Sequence, residues 1–191
     1  KISKNILLIN EDKEIENDSL RIDSTIKFRG YFHDWTFAEM VNPKYFIENF
    51  KKISMSNPVL SLCKKIEEEN PLVIHVRVGD YIKLNKLHEI VEEQYFMDGI
   101  NWFSDDHSPV WIFCENLGDL NSYYPNLERR STLLIGANES MSPLETMYIM
   151  SKSKKLIITN STFSMWAGWM AANLGSTVIS YSTSQIGRAH V

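Results

Sequence analysis

The chain has 191 residues and 43% of them are hydrophobic, so it is long enough to form one sizeable core or the larger part of two. Twenty Lys and Arg residues against 24 Asp and Glu give a formal net charge of -4. This balance excludes a global positive field that would attract nucleic acid or an anionic membrane, so an anionic ligand must be bound by a local site.

The first seventy residues alternate short apolar runs with amphipathic stretches. The run 6–9 and the alternating segment 25–32 are predicted strands, separated by an acidic loop. Asn42-Pro43 begins a predicted helix that extends to Ile53, because proline is favoured in the first helical turn. Asn57-Pro58 begins a second helix, which places apolar side chains on one face and charged side chains on the other.

From Pro71 onward the alternation of strands and helices is regular. The predicted strands are 72–74, 110–113, 132–135, 156–158 and 177–179. The predicted helices lie near 94–103, 116–121, 142–153 and 163–173. Near-continuous apolar strands alternating with helices are typical of a parallel sheet covered on both faces. The sequence therefore predicts an α/β fold with a Rossmann-like domain over residues 71–185.

Both ends of the chain indicate a piece of a longer protein. The sequence begins without methionine and reaches a predicted strand within a few residues. The last six residues, IGRAHV, match the translation of a common sequencing adapter. We interpret 186–191 as read-through from an assembled gene fragment, which would not belong to the fold. A natural polar tail is the alternative.

Cysteine usage and hydropathy bear on the compartment. Cys63 and Cys114 lie far apart in apolar runs without metal-ligand spacing, which predicts buried thiols rather than a disulfide. No run approaches the roughly 18 apolar residues of a membrane span, and the first residues lack a signal-peptide core. We therefore expect a microbial, cytoplasmic protein without membrane association, unless a preceding segment carries an anchor for a membrane or the Golgi lumen.

A His-x-Arg-x-Gly-Asp motif follows the first strand of the Rossmann-like domain. His75 and Arg77 are two residues apart and project to the same side of a strand end, while Gly79 permits a tight turn with close backbone approach. An arginine here offers a fork of N–H donors to a diphosphate. Asp80 would orient His75 or Arg77, or cap the turn. A structural Arg–Asp pair at the strand end is the alternative.

A second polar segment follows the strand at 156–158 and begins a helix rich in Trp and Ala. It comprises Thr159, Asn160, Ser161, Thr162 and Ser164. Free N–H groups and the dipole at a helix N-terminus bind phosphate, whereas a simple N-cap is the commoner use of Ser or Thr there. Trp166 and Trp169 are predicted to pack in the core rather than to stack on a ligand. Together the two motifs predict a phosphate-bearing donor molecule, and hence a transferase.

These residues resemble glycosyltransferase family 11, the alpha-1,2-fucosyltransferases. Residues 75–80 resemble the family's first motif, His-x-Arg-Arg-x-Asp, and residues 160–169, NSTFSMWAGW, resemble its later motif. Upstream, residues 30–33 resemble the family's Gly-Tyr-Phe-Gln segment. The resemblance extends over about residues 28–181, and the segment from Asn160 to Ser164 is its most specific part.

The resemblance implies an inverting glycosyltransferase that uses GDP-fucose and no cofactor or metal. Two Rossmann-like halves of GT-B type are implied, with the donor bound chiefly by the C-terminal half. The acceptor would be a glycan ending in galactose, joined in an alpha-1,2 linkage. Residues 1–70 would then be the remainder of the acceptor-side region with its connecting helices, and 71–185 the donor-binding domain.

The resemblance also assigns roles to residues by position. Arg77 would contact the donor diphosphate, and His75 and Asp80 would complete the catalytic group around it. The remaining donor-binding residues would be Gly79, Asn160, Ser161, Thr162, Phe163 and Ser164.

The chain departs from the family pattern at three positions. Val78 replaces the second Arg of the first motif, Met165 replaces the first Trp of the later motif, and Thr146 stands where an Asp is frequent, next to Glu145. The family's N-terminal Gly-Gly-Leu-Gly-Asn-Gln segment and its closing C-terminal region are absent. We therefore expect a fragment that does not transfer sugar by itself.

The general base is not evident from the sequence. Glu115, Asp34 and Glu145 are candidates by charge alone, and a solvated surface carboxylate is the expected role of each. A metal-dependent transferase is disfavoured because the chain has no Asp-x-Asp, and Asp105-Asp106 is adjacent rather than spaced.

Two alternatives stay open beside the fucosyltransferase hypothesis. One is a related enzyme of GT-B fold with another nucleotide-sugar donor, which Val78 favours. The other is a non-catalytic carbohydrate-binding module, which predicts glycan binding without nucleotide binding.

Overall fold

The described part of the chain contains a small and a large parallel sheet. The computed structural model describes residues 6–10, 25–29, 42–50, 53–82, 89–103, 108–136 and 141–181, with the backbone alone for the first two ranges and for residue 80. Strands β1 (Ile6–Asn10) and β2 (Thr25–Arg29) pair in parallel and form the small sheet. They confirm the first two predicted strands. The last three residues of the second predicted strand, 30–32, lie outside the described part.

The large sheet has five strands and a reversal of strand order. Its strands are β3 (Leu72–Val76), β4 (Val110–Cys114), β5 (Leu133–Gly136), β6 (Lys155–Ile158) and β7 (Thr177–Ser180). They are arranged in the order β5-β4-β3-β6-β7, and every neighbouring pair is parallel. The chain passes outward from β3 to β5 and then returns to the other side of β3. Open α/β sheets bind ligands at such a reversal, beyond the carboxyl ends of the strands.

Helices connect the strands and cover the sheet. They are α1 (Pro43–Phe50), α2 (Asn57–Glu69), α3 (Glu93–Trp102), α4 (Leu117–Tyr123), α5 (Pro125–Arg130), α6 (Pro143–Met150) and α7 (Thr162–Asn173), with a short 3-10 helix at Gly79–Ile82. The sequence predicted each α-helix except α5. That helix has six residues and buries Leu127, so it has no apolar periodicity to detect.

The two faces of the large sheet pack into separate apolar clusters. On β3, residues 72, 74 and 76 face one cluster, to which α3, α4 and α5 contribute. Val73 faces the other cluster, to which α2, α6 and α7 contribute. A parallel sheet buried on both faces confirms the predicted α/β, Rossmann-like fold.

Helix α2 shares its core with the sheet. Val59, Cys63 and Ile66 of α2 lie in the same cluster as Val73 and Trp111 of the central strands. The helix thus packs on the domain that is predicted to begin at residue 71. The division at residue 71 stays a prediction.

The tryptophans of α7 pack against α1. The Phe46 ring lies 5.9 Å from the ring of Trp166 and 5.5 Å from that of Trp169, and the two indoles are 5.5 Å apart. Trp169 is 7% exposed. The predicted core position is confirmed for Trp169, whereas Trp166 packs against the same cluster and is partly exposed.

Both cysteines are free and buried, as predicted. Burial raises the pKa of the Cys63 thiol and raises that of Cys114 to about 11, so neither thiol ionises near neutral pH. Among the described helices, none is long and apolar enough to cross a membrane.

Candidate functional site

The two sequence motifs meet at the carboxyl edge of the large sheet. Strands β3 and β6 are hydrogen-bonded neighbours, with residues 72–74 aligned to 155–157, so the residues that follow these strands emerge side by side. His75 of the first motif bonds through Nδ1 to the Oγ of Ser164 in the second. The fold thus joins two segments that are 89 residues apart in sequence.

Ser164 is the centre of a buried hydrogen-bond network. We call the group of His75, Thr159, Ser161 and Ser164 the Ser164 network. The Ser164 Oγ lies 2.9 Å from the Ser161 Oγ and 3.1 Å from the Thr159 Oγ1, in addition to its bond with His75. All four residues are buried, and Ser164 has no exposed surface. Since an unpaired buried polar group costs about 1–3 kcal/mol, these bonds fix the two motifs relative to each other.

Ser161 is the N-cap of α7. Its backbone is extended, and its Oγ accepts a 3.1 Å hydrogen bond from the backbone N–H of Ser164. The N-cap alternative is therefore correct for Ser161. It is compatible with phosphate binding, because the cap satisfies one of the four N–H groups that the first turn of a helix leaves unpaired. Thr162 and Phe163, the first residues of α7, are partly exposed.

Burial keeps His75 neutral. Desolvation, reinforced by the positive charge of Arg77, lowers the pKa of His75 from 6.5 to about 3. Its ring lies 5.2 Å from the ring of Phe163. A neutral imidazole offers one N–H donor and one acceptor, so His75 takes part in the site through hydrogen bonds rather than through a positive charge.

Arg77 supplies a positive charge at this edge. Its Nη1 lies 3.0 Å from Oε2 of Glu115, the first residue after β4, and its guanidinium carbon lies 5.8 Å from the centre of the Tyr81 ring. The Arg77 side chain is 28% exposed and that of Glu115 is 47% exposed, so solvent reaches both groups. A guanidinium in this position is suited to bidentate binding of a phosphate.

Gly79 begins the 3-10 helix that follows β3. A Cβ at this position would overlap Oε2 of Glu115, so the backbone here is in close contact with a carboxylate of the protein. Close approach of a ligand to Gly79 stays a prediction. Asp80 lies in the same 3-10 helix, and its side chain is outside the described part of the structure, so its roles also stay predictions.

Asn160 connects the second motif to the segment before α3. Its Nδ2 donates a 2.9 Å hydrogen bond to the backbone carbonyl of Glu89. Its Oδ1 is buried and has no hydrogen-bond partner among the described residues. A buried amide acceptor of this kind is usually paired, so Asn160 has one acceptor to offer to a further donor.

Tyr95 of α3 supports the second motif, a role that the sequence did not predict. Its hydroxyl donates a 2.7 Å hydrogen bond to the carbonyl of Ile158, the last residue of β6, and lies 3.3 Å from the carbonyl of Ile179. Burial raises the pKa of this phenol, which keeps the donor protonated. A tyrosine in an amphipathic helix has the pattern of a core residue, so no sequence signal indicates this bond.

Two departures from the family pattern are buried apolar residues. Val78 is 4% exposed and lies in the cluster on the α3 face of the sheet. Met165 is also 4% exposed. Val78 is therefore a packing residue, and Met165 fills the protein interior at the position where the family has a tryptophan.

Glu145 and Thr146 have structural partners at the start of α6. The Glu145 carboxylate accepts hydrogen bonds from the N–H of Ser142 at 2.8 Å and from the N–H of Ser56 at 3.0 Å, and its own N–H donates to the Ser142 Oγ. Thr146 Oγ1 donates to the Ser142 carbonyl. The bonds to Ser142 and Ser56 lower the pKa of Glu145 to about 2, which makes it a weak proton acceptor. Of the other base candidates, Glu115 pairs with Arg77 and Asp34 lies outside the described residues.

Glu145→Gln is expected to destabilise the protein near pH 7 and to remove part of its acid sensitivity. Because the pKa is depressed in the folded state, the stabilising effect of the carboxylate is present above its ordinary value of 4.5 and is lost as the pH falls toward about 2. Urea unfolding near pH 7 and near pH 3 measures the difference in free energy of unfolding between wild type and variant. This difference should be smaller near pH 3. Glu48→Gln, an exposed carboxylate on α1, is the control. An equal difference in free energy at both pH values would show that the charge of Glu145 does not contribute to the reciprocal bonds with Ser142 that cap α6.

A cavity lies at the opposite edge of the sheet. Its volume is about 370 Å³, and its lining includes Leu72, Val110 and Lys155, the first residues of β3, β4 and β6. Lys155 Nζ is 2.5 Å from the Ser108 Oγ in this lining. The length of a strand, roughly 13–17 Å, separates this cavity from the two motifs.

The family model and the curated relatives that match this chain are all glycosyltransferases. A model of the family described as Glycosyl transferase family 11 matches residues 4–189. An alpha-1,2-colitosyltransferase of Escherichia coli is 26% identical over 150 residues, which cover 72% of this chain and 51% of that protein. The O-antigen biosynthesis glycosyltransferase WbnK of Escherichia coli is 26% identical over 167 residues, which cover 82% and 54%. A galactoside 2-alpha-L-fucosyltransferase of Bos taurus is 26% identical over 162 residues, which cover 80% and 44%.

The chain spans about half the length of these relatives. No solved structure matches it significantly. The family match extends to residue 189, so the interpretation of 186–191 as read-through stays a prediction.

Proposed function

Because the chain belongs to glycosyl transferase family 11, we propose that it is the donor-binding part of an enzyme that transfers fucose from GDP-fucose to a galactoside hydroxyl in an alpha-1,2 linkage. The observation that carries the proposal is the meeting of the two motifs, with Arg77 and the N-terminus of α7, where the strand order reverses. The full enzyme would have two Rossmann-like halves of GT-B type. This chain alone would bind the donor, and transfer would also require the acceptor side.

The chemistry of the transfer explains the positive groups. The bond between the anomeric carbon and the β-phosphate oxygen breaks, and its electron pair leaves with GDP. The acceptor oxygen bonds to the opposite face of the anomeric carbon, which inverts the configuration, and its proton passes to a base or to the departing phosphate. Arg77 and the N–H groups at the start of α7 would stabilise the negative charge as it forms. On this proposal no metal ion or cofactor is required.

The exposed and the buried residues of the site have different proposed roles. Arg77, Asn160 and the first turn of α7 at 162–163 are at least partly exposed and would contact the donor. The Ser164 network is buried and would line the pocket from behind, with the neutral His75 holding the diphosphate site in shape. Asp80 would complete that site from the 3-10 helix.

Another donor sugar is the second candidate. One relative is named an alpha-1,2-colitosyltransferase. In this chain the buried Val78 supplies no second cation at the position where the family motif has arginine. A site built on one arginine and a helix N-terminus recognises a diphosphate without selecting the sugar attached to it.

Calorimetric titration with GDP, GDP-fucose and UDP-glucose, repeated on Arg77→Ala, tests the proposal. We expect guanine-selective binding that becomes about 10- to 100-fold weaker in the variant, because a hydrogen bond to a charged group contributes about 1.5–3 kcal/mol. Arg130→Ala is the matched control, since Arg130 is an exposed arginine at the opposite edge of the sheet.

The possible outcomes separate the hypotheses. A preference for UDP would move the proposal to another nucleotide-sugar donor. In a parallel titration with a galactoside, binding of the galactoside by a chain that binds none of the nucleotides would indicate a carbohydrate-binding module. Equal affinities of wild type and Arg77→Ala for GDP would show that Arg77 does not contact the diphosphate.

A further inference from the structure

The carboxylate of Glu115 touches two residues of the first motif at once. Its Oε2 is 3.0 Å from Nη1 of Arg77, and the same atom occupies the space that a Cβ at Gly79 would fill. Pairing of β3 with β4 explains this position. His75 is aligned with Phe113 and Val76 with Cys114, so Arg77 and Glu115 are the next residues along the two strands.

We propose that Glu115 is a positioning residue that holds Arg77 in the orientation in which it binds the donor diphosphate, and that Gly79 provides the space for its carboxylate. This inference rests on the proposed function. It adds a negatively charged residue to a site that is expected to be positive. It also explains the glycine of the first motif, because a side chain at position 79 would displace the carboxylate.

A contribution to stability does not explain the ion pair. Both side chains are exposed to solvent, at 28% and 47%, and exposed ion pairs contribute little to folding. The Glu115 carboxylate nevertheless lies where a side chain at position 79 would displace it. An ion pair of low energetic value between residues that two neighbouring strands place side by side is better explained by orientation of the arginine.

The geometry of arginine allows it to bind two anions together. A guanidinium carries five N–H donors in a planar fork, so one edge holds a carboxylate while another binds a phosphate. The Tyr81 ring, 5.8 Å from the guanidinium carbon, provides a second restraint on the same group. Glu115 and Tyr81 together would hold Arg77 in one orientation before the donor arrives, which reduces the entropy lost on binding.

Removal of Glu115 distinguishes the two effects by the direction in which the affinity for GDP changes. Coulomb's law alone predicts tighter GDP binding when a nearby negative charge is removed. A positioning role predicts weaker GDP binding. We expect Glu115→Ala to bind GDP about 5- to 10-fold more weakly, and Glu115→Gln, which keeps an acceptor oxygen, to stay within about threefold of wild type.

Two double-variant cycles, measured by calorimetry with GDP, locate the effect. In the Arg77→Ala background, Glu115→Ala should cause no further loss, because there is no arginine to orient. Gly79→Ala displaces the carboxylate and should therefore weaken GDP binding by a larger factor in the wild-type background than in a chain that already lacks Glu115. Thermal unfolding of each variant verifies that it is folded.

The inference and the proposed function fail in different ways. Tighter GDP binding by Glu115→Ala, or losses at Glu115 and Arg77 that simply add, would overturn the positioning role and leave the GDP site in place. Wild-type protein that is folded and does not bind GDP would overturn both.

Discussion

Ser164→Ala is expected to lower the free energy of unfolding by about 2 kcal/mol and to weaken GDP binding about tenfold. The Ser164 hydroxyl has bonds to His75, Thr159 and Ser161, and all of these groups are buried. Alanine leaves them without that partner, and an unpaired buried polar group costs about 1–3 kcal/mol. The loss in affinity corresponds to about 1.4 kcal/mol of lost preorganisation, since His75 and the start of α7 are no longer held together.

Urea unfolding and calorimetric titration measure the two effects separately. Ser151→Ala is the matched control, because Ser151 is 1% exposed and its hydroxyl donates a 2.7 Å bond to the carbonyl of Tyr148, three residues earlier. We expect the control to lose about 1 kcal/mol or less and to keep its affinity for GDP. Equal losses of stability in the two variants would mean that the Ser164 network does no more than an ordinary buried serine.

The position of Ser164 explains how the two motifs of the proposed donor site are held together at this edge. β3 pairs with β6 through residues 72–74 and 155–157, which places the two motifs side by side but does not fix their side chains. The bond between Ser164 and His75 supplies that constraint. Tyr95 adds another by its bond to the carbonyl of Ile158, at the exit of β6. The first turn of α7 is thus held from β3 and from α3.

Most of the fold could be predicted because the central strands are buried on both faces. β3 and β4 each have five consecutive buried residues, which leaves a near-continuous apolar run in the sequence. The strand order could not be predicted in the same way, because it depends on the side of β3 to which the chain returns after β5. The helix α5 was missed because one buried residue produces no pattern.

The sequence identified members of the site but few of their contacts. His75 and Ser164 were named from motifs, whereas their bond depends on strand pairing between segments 89 residues apart. The sequence indicates only the charge of Glu115. Its position beside Arg77 depends on the register between β3 and β4, which the sequence does not reveal. Glu145 is different, because the spacing of Ser142 and Glu145 before an apolar run is the capping-box pattern, and its structural role could have been predicted.

Acid is expected to destabilise the protein through His75. The pKa of His75 is about 3 in the folded protein, where burial and Arg77 oppose protonation, against an ordinary value of 6.5. Between these values the unfolded state binds one more proton than the folded state. The free energy of unfolding therefore falls as the pH falls, by about 1.4 kcal/mol per pH unit well below 6.5. Between about pH 8 and pH 5 the loss should be about 2 kcal/mol.

His75→Gln should remove this part of the pH dependence. Urea unfolding at several pH values between about 5 and 8 gives the slope, in a range where carboxylates of ordinary pKa contribute little. Four of the five histidines remain in the variant, so their titration cancels in the comparison. The variant loses the bond to Ser164 at every pH, which lowers its stability without changing the slope. Equal slopes would mean that His75 takes up its proton in the folded state, which would contradict the neutral, buried imidazole proposed for the site.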